Sequence, residues 1–560
     1  MAQYSADLII VGSSLGGVAG ALRAAEMGIR VLLLSTTRLI GGQFTSQGVC
    51  TPDENLWIET SGGTKSYLYF RHLIRQHYRG STTLSEAGKS QEYLNIGDCW
   101  VSRLACEPLV AEGILRDMIA ANPNITLLEN VAITDYDVRI NTITKLFGTV
   151  ADAPAQFNAS YFIDATETGD LLPLIGVEHS LGAESRQETG EPDAPARARP
   201  DWIQPFTMAF ALEMRPKGEM HTITPPADYE ALKQTQKYHI LDGAMHGMFG
   251  DLGWWTYRRV IASVNFSDSR FAHDVAMINT ASNDFRGGII PSGDAGMDES
   301  SIAAARRASL GYVYWLQTEC PRVDEPGKIG YPEFRLLTDF FGSGGDGVSP
   351  EPYIRESRRI KSMQTILEQD VVEKGSSGAV CNAVPRAKLF PDSCGIGHYW
   401  LDIHDGPSDE PCRFLETKPF QIPLGSLIPV RVTNLLAGCK NLGVTHLTNG
   451  CYRLHPIEWN VGESAGALAA FCVKRSVEPK GVLQTRELLE DYQRSIVQQG
   501  IPIFWWTDLP HSHPAFEAAQ LLSTWGEWTA DESLEFGPDV DHDGVSRGES
   551  AMDMYKLKGI

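Results

Sequence analysis

The stretch "DLIIVGSSLGGVAGALRAAEMGIRVLLLS", residues 7–35, decides the fold. Its first six residues form a short apolar run ending in glycine, the pattern of a parallel strand buried on both faces. Over residues 15–27, Leu15, Val18, Ala19, Leu22 and Ala25 share one helical face, and Gly28 stands where a left-handed residue ends a helix. "IRVLLLS" is a second buried strand. Strand, helix and strand within about thirty residues make a βαβ unit. In the turn, Gly12, Ser14 and Gly17 hold the three positions where a dinucleotide fingerprint needs glycine, and Gly16 adds a further small residue. Serine replaces the middle glycine, and Ser35 stands where the ribose-binding acid is expected. The ribose contact then falls to Ser35, Thr36 or Arg38, with NADP open if Arg38 faces a phosphate. A tight βα turn in another doubly wound fold is the alternative.

At 560 residues the chain exceeds what one core organises, so two or more domains are expected. A net charge of −22 opposes a nucleic-acid partner. No apolar run approaches the ~20 residues of a membrane span. The N-terminus lacks a basic n-region, so no signal peptide is read. The ten cysteines are scattered without CxxC pairs or zinc spacing, which points to a reduced, cytoplasmic chain and no metal site. Residues 61–124 look helical and 125–165 strand-rich. Residues 182–201, "GAESRQETGEPDAPARARPD", look like an exposed loop. The expected architecture is α/β, a Rossmann-like domain on a parallel sheet with an inserted α+β domain and a helical tail. The sheet domain comprises residues 1–180 and a return segment, 421–476. Residues 181–420 form the inserted substrate or cap domain, and 477–560 the helical region.

After the second strand, "LIGGQFTSQGV" supplies Gly41, Gly42, Gln43, Thr45, Ser46, Gln47 and Gly48. Such a loop is rich in backbone and hydroxyl donors that can wrap a pyrophosphate and reach an isoalloxazine edge; a polar surface loop is the alternative. A second small-residue helix start, "LHPIEWNVGESAG", occupies residues 454–466. Asn460 is expected to cap it, with Glu463 three residues on. Gly462, Ala465 and Gly466 keep its first turns slim, so a ligand can approach the free N–H groups. A helix N-terminus stabilises the negative charge of a reduced flavin. One helix start would hold the pyrophosphate and the other the flavin ring of a single long cofactor, FAD.

With these motifs on the page, the sequence resembles FAD-dependent oxidoreductases of the glutathione-reductase type, which include the fumarate reductase and succinate dehydrogenase flavoproteins. The resemblance rests on "GSSLGG", "GGQFTSQGV", "DATETGDLLPLIGVEHSLGAESRQETGEP", "YIRESRRI", "GIGHYWLDIH", "KPFQIPLGSLIP" and "GCKNLGVTHLTNGCYRLHPIEWNVGESAGALAA", in that order along most of the chain. Ser35 departs from the glutamate usual there. The resemblance implies FAD contacts at Ala165, Thr166, Asp170, Gly438, Asn441, Asn449, Glu458, Trp459, Asn460, Val461 and Gly462. It implies no particular substrate; the expected partners are a small-molecule substrate and an unidentified electron acceptor, with a homo-oligomer open.

Several segments compete for the chemistry. "PYIRESRRIKSMQTIL" is expected to be a helix with Ile360, Met363, Ile366 and Leu367 on one face. Arg355 would then clamp a substrate carboxylate, or join Glu356 in a plain salt-bridge network. "GIGHYWLDIH", read as one strand, presents His398, Trp400, Asp402 and His404 on one face. His446 and His455 flank "THLTNGCYRLHP" and are either proton-transfer groups beside the flavin or structural histidines. Trp254 and Trp255 cover substrate or fill the core. "DVDHDGVSRGES" begins like a calcium loop with Asp539, Asp541 and Asp543, but Ser550 replaces the closing glutamate. We read it as Ser546 capping a helix with Glu549 at the third position. The expected reaction is hydride transfer between a small polar metabolite and flavin N5. The alternatives are an FAD-dependent monooxygenase and a flavin-free binding protein on the same fold.

Overall fold

Five short parallel strands form the sheet that carries the site: β1 (Leu8–Val11), β2 (Val31–Leu34), β3 (Ile125–Leu128), β4 (Tyr161–Asp164) and β5 (Leu435–Ala437). The computed structural model describes residues 1–240, 247–378, 380–382, 386–528, 533–542 and 544–558. Across the sheet the order is β5-β4-β1-β2-β3, with Leu8 opposite both Val31 and Tyr161. The chain runs outward from β1 through β2 to β3, then returns to the other side of β1 as β4. The order therefore reverses between β1 and β4, and in open α/β sheets a ligand crevice forms there, at the carboxyl ends of the strands.

Helix α1 (Leu15–Glu26) follows β1, and Ser14 caps it by accepting the N–H of Gly17 at 3.1 Å. Its apolar face buries Leu15, Val18, Ala19, Leu22 and Ala25. Against it lies α2 (His455–Arg475). A Cβ placed on Gly462 would meet the Gly16 carbonyl oxygen at 1.9 Å, and one on Gly466 would meet that of Gly20 at 2.2 Å. The two small-residue helix starts are therefore slim because they pack on each other. Helix packing, rather than the approach of a ligand, accounts for Gly462 and Gly466.

The cap of α2 also differs from expectation. The helix begins at His455, with Leu454 as its N-cap and Pro456 in the first turn, where a fixed φ and a missing N–H cost nothing. Asn460 lies in the second turn, where its side chain accepts the Ile396 N–H at 3.0 Å and donates to Ser464. Glu463 pairs with Arg23.

A four-stranded sheet of residues 2–5, 153–158, 142–150 and 131–139 stands beside the parallel sheet. Another comprises Arg259–Ile261, Val275–Ile278, Phe210–Met214 and Phe334–Leu336. The latter packs with helix Ala295–Thr318 around its own apolar cluster, which contains Trp254, Trp255, Tyr312 and Tyr331. Those two tryptophans are core.

Three other segments depart from expectation. Residues 352–367 form no helix; only Arg359–Ile360 is regular, as a strand paired with His179–Ser180. "GIGHYWLDIH" breaks into Ser393–Gly397 and Leu401–Ile403, which pair with different partners, so His398 and His404 do not share a face. Residues 182–201 are not simply exposed, because Ala183, Glu191 and Ala194 are buried. In the tail, Ser546 and Glu549 form the expected capping box, while Asp543 lies outside the described residues. Among the described residues no helix is long and apolar enough to cross a membrane.

Candidate cofactor and substrate site

A cavity of about 320 Å³ opens where the strand order reverses. The turn after β1 contributes Gly12, Ser13 and Ser14, the segment after β2 Thr36 and Thr37, and the loop that follows Gly42, Ser46 and Gln47. The turn after β4 adds Ala165, Thr166, Glu167 and Asp170. Gly12 has φ +101°, and a Cβ there would meet the Ala165 carbonyl oxygen at 2.2 Å, so glycine alone fits. Asp164 organises the β4 turn by accepting the N–H groups of Thr166 and Leu171 and the Thr166 hydroxyl. Burial pushes its carboxyl up to about 7. The Ser13 and Ser35 hydroxyls are bonded at 2.6 Å, and the Thr37 carbonyl accepts from Ser35.

These residues fit an anionic dinucleotide. In the first turn of α1, Gly17 N–H goes to the Ser14 hydroxyl, Val18 N–H to the Ser14 carbonyl and Gly16 N–H to Glu458 Oε1, which leaves Leu15 N–H without an intrahelical acceptor. Gln43 Oε1 and Glu167 Oε1 are buried without a partner, and a buried polar atom of that kind calls for one. A larger groove, about 740 Å³, lies on the other face of α1 beside Arg23 and Glu463. It has neither strand ends nor the glycine turn, so the smaller cavity is the better match despite its size.

Not every expected contact lines that cavity. Gly16, Gly17 and Gly438 are buried in packing around the turn. Arg38 is exposed, and its carbonyl accepts from Arg116. Gly41 packs near Leu115, Thr45 closes its loop on the Ile40 carbonyl, and Gly48 meets Ala209 and Phe341. Asn441 donates to the Asp164 carbonyl, and Asn449 accepts from Gln204 at 3.5 Å. Trp459 stacks on Phe70 and donates to Ser66, Val461 is buried, and Gly462 touches Gly16. From α2, Glu458 accepts the Gly16 N–H of the turn.

Sequence reasoning missed Lys440. Its ammonium is buried and ion-paired with Glu167 and, at 3.1 Å, with Glu458, which also accepts the Gln43 amide at 2.6 Å. Its place three residues after β5, at the carboxyl edge of the sheet, was the available signal.

A second polar cluster lies beyond Gln43. That side chain donates to the carbonyl of Arg453, whose guanidinium reaches Tyr353 Oη at 2.8 Å and Asp402 at 3.0 Å. His404 bridges Asp402 at 3.2 Å and Asp284 at 2.6 Å. Burial and Arg355 oppose its charge, but the two carboxylates outweigh them and raise its pKa. Asp284 is held down at about 2 against burial by Arg355 and His404. Arg258 grips Asp53 at 2.9 Å, and Tyr399 donates to the same carboxylate. Arg258, Arg355 and Arg453 stand against the three carboxylates Asp53, Asp284 and Asp402, and His404, whose pKa these carboxylates raise, is the fourth basic group. When His404 is protonated the cluster carries one surplus positive charge. Asp402 and His404 each keep 18% side-chain exposure, so solvent reaches the edge of this cluster.

The expected catalytic residues meet different fates. Arg355 is anchored by Asp284, the Pro205 carbonyl and Thr207, so it belongs to a salt-bridge network, though with Asp284 and not Glu356. His446 donates from Nδ1 to Glu356 and from Nε2 to Glu410; burial opposes its charge, yet the two carboxylates raise it to about 10. His455 donates to the Val49 carbonyl and accepts the Asp53 N–H, and burial lowers it to about 4. Neither ring has a free nitrogen for proton transfer. His398 sits between Trp57 and Trp505, bonded to the Thr417 carbonyl, and burial lowers it to about 4.

A family model described as FAD dependent oxidoreductase matches residues 7–494. No curated protein matches the sequence. Similar solved structures include a geranylgeranyl bacteriochlorophyll reductase-like protein from Thermoplasma acidophilum, 8% identical over 94% of this chain and 87% of that one, with a TM-score of 0.34. A mutant of E. coli quinol fumarate reductase is 11% identical over 89% and 74%, with a TM-score of 0.30. L-proline dehydrogenase from P. horikoshii is 10% identical over 33% of this chain, with a TM-score of 0.18, and only 25% of its own length is spanned. At these scores the three structures assign nothing to this chain.

Proposed function

The chain belongs to the family of FAD-dependent oxidoreductases, and from that premise we propose that it transfers a hydride between FAD and a small anionic metabolite bound over the Arg453–His404 cluster. The observation that carries this is the buried, solvent-reachable cluster of Arg258, Arg355, Arg453 and His404 around three carboxylates; with His404 protonated it holds a surplus positive charge, which an anionic group would offset. Arg453 joins the two halves of the site, since its carbonyl binds the loop that lines the cofactor cavity and its guanidinium belongs to the cluster. FAD, when bound, supplies the hydride acceptor or donor. Arg453 would orient the substrate anion. His404, kept protonated by Asp284 and Asp402, would give a proton to the atom left electron-rich by hydride addition, and take it back in reverse. We also propose the division made from sequence: the inserted segment 181–420 supplies Arg258, Asp284, Arg355, Asp402 and His404, and the flanking segments supply Asp53 and Arg453.

The test begins with the visible spectrum of the purified protein, which is expected to show bound flavin. Anaerobic reduction of that flavin by small hydroxy acids should outpace reduction by neutral alcohols or amines. Selective reduction by a neutral or cationic compound would overturn the anionic assignment. Stoichiometric NAD(P)H consumption with O₂ would favour the monooxygenase alternative. His404→Gln is expected to keep the flavin spectrum and lower kcat/KM by about a hundredfold or more, the scale of a lost general acid. Unchanged kinetics across pH would remove His404 from the chemistry.

A further inference from the structure

Beside its hydroxyl and backbone donors, the cofactor cavity is lined by several carboxylates, which oppose a diphosphate unless they are neutralised. Glu167 reaches it from the β4 turn and Glu351 from the segment that follows the inserted sheet. One oxygen of Glu167 takes the Lys440 ammonium, while Oε1 is buried with no partner. Glu351 accepts the Ser46 hydroxyl at 2.7 Å, and its N–H donates to the Ser46 carbonyl at 3.2 Å, so the glycine-rich loop is tied to it.

The charged groups facing this pair can be followed element by element. Lys440, after β5, is shared with Glu458 of α2, and these two cancel. Asp170 pairs with Arg358 at 3.3 Å. Asp298 and Glu299, on helix Ala295–Thr318, stand around the cavity without neutralising it. The buried Cys439 thiol is the other titratable neighbour. Among the described residues Lys440 is thus one cation shared by Glu167 and Glu458, and Glu351 pairs with none.

We propose that Glu167 and Glu351 act together as a proton-binding pair for the cofactor, so that FAD enters this cavity accompanied by about one proton. Two carboxylates that share a site cannot both ionise cheaply, and a diphosphate beside them raises the cost further. Burial with the Glu167 charge already pushes Glu351 up to about 7, and burial raises Glu167, with Lys440 opposing and Glu458 assisting. Bound FAD would raise them again. The linkage sign follows: a group whose pKa rises on binding takes up a proton, so affinity falls as pH climbs above the free-state value. This rests on placing the cofactor in the cavity at the strand ends.

The experiment uses the full chain stripped of flavin and titrated with FAD between pH 6 and 9, followed by flavin fluorescence. Calorimetry in phosphate and in Tris counts the protons. The expected result is a Kd that weakens about tenfold per pH unit above pH 7, with uptake close to one proton. Glu351→Gln and Glu167→Gln should each flatten the slope, and the double variant should bind FAD without pH dependence. A flat wild-type Kd with no buffer effect would overturn the proposal while leaving the cofactor site intact. Absence of FAD binding at every pH would overturn the placement of the cofactor and this proposal with it. If a variant fails to fold, the wild-type slope and proton count still decide.

Discussion

Gly462→Ala is expected to destabilise the chain severely, and equally with and without FAD. The added methyl would stand 1.9 Å from the Gly16 carbonyl oxygen, 2.4 Å from its carbon and 2.5 Å from its Cα. Overpacking a core usually costs about 1–3 kcal/mol, because side chains yield. Here the obstacle is backbone of α1, held in place by the turn after β1, so the cost should reach or exceed the upper end of that range. Relief requires α1 and α2 to separate along their contact, where a Cβ on Gly466 would likewise meet the Gly20 carbonyl oxygen at 2.2 Å. Thermal unfolding of the flavin-free and flavin-loaded variant should show the same loss in midpoint. A wild-type midpoint without flavin, paired with lost FAD binding, would return Gly462 to the role of a ligand contact.

His446→Gln is the second large effect. His446 is 1% exposed and sits between the buried carboxylates of Glu356 and Glu410. Removing the cation leaves these acids underpaired, which costs about 3–5 kcal/mol in comparable buried pairs. The pH dependence follows from the raised value: the folded chain holds the proton up to about 10, and the unfolded chain releases it near the ordinary 6.5. The contribution is therefore complete below pH 6.5 and is lost as pH rises through about 10. Wild-type stability, measured by denaturant unfolding, should fall more steeply than that of the variant between pH 7 and 10. The pH profile of flavin reduction should keep its shape in the variant. A changed profile with unchanged stability would make His446 a proton-transfer residue after all.

Both predictions turn on features that local sequence could not display. Asn460 and Glu463 have the spacing of a capping box, yet Pro456 starts the helix earlier, and the pair instead serve Ile396 and Arg23. His446 looked free to titrate because Glu356 and Glu410 lie 90 and 36 residues away in sequence. Arg355 seemed to start a helix because its segment carries apolar residues at helical spacing. In the fold that segment is held by side-chain bonds to distant loops, as in the Arg355–Asp284 pair. The polar cluster was only partly visible. His404 and Asp402 were noticed on a supposed strand, whereas Asp53, Arg258, Asp284 and Tyr353 carried no spacing that would group them.

By itself the sequence determined the βαβ start, the glycine turn at Gly12, the donor-rich loop at residues 41–48 and the return of β5 to the sheet. Each is a local pattern, in which backbone geometry and burial periodicity act over a few residues. Tertiary structure alone decided which small residues serve packing, as Gly462 does against Gly16, and which face the cavity. It also decided which histidines carry charge: His446 and His404 gain carboxylate neighbours that outweigh burial, while His455 and His398 meet little but backbone and are pushed toward the neutral form. The physical reason is that a buried group's charge depends on a sum over neighbours brought from remote segments, and that sum exists only once the chain has folded.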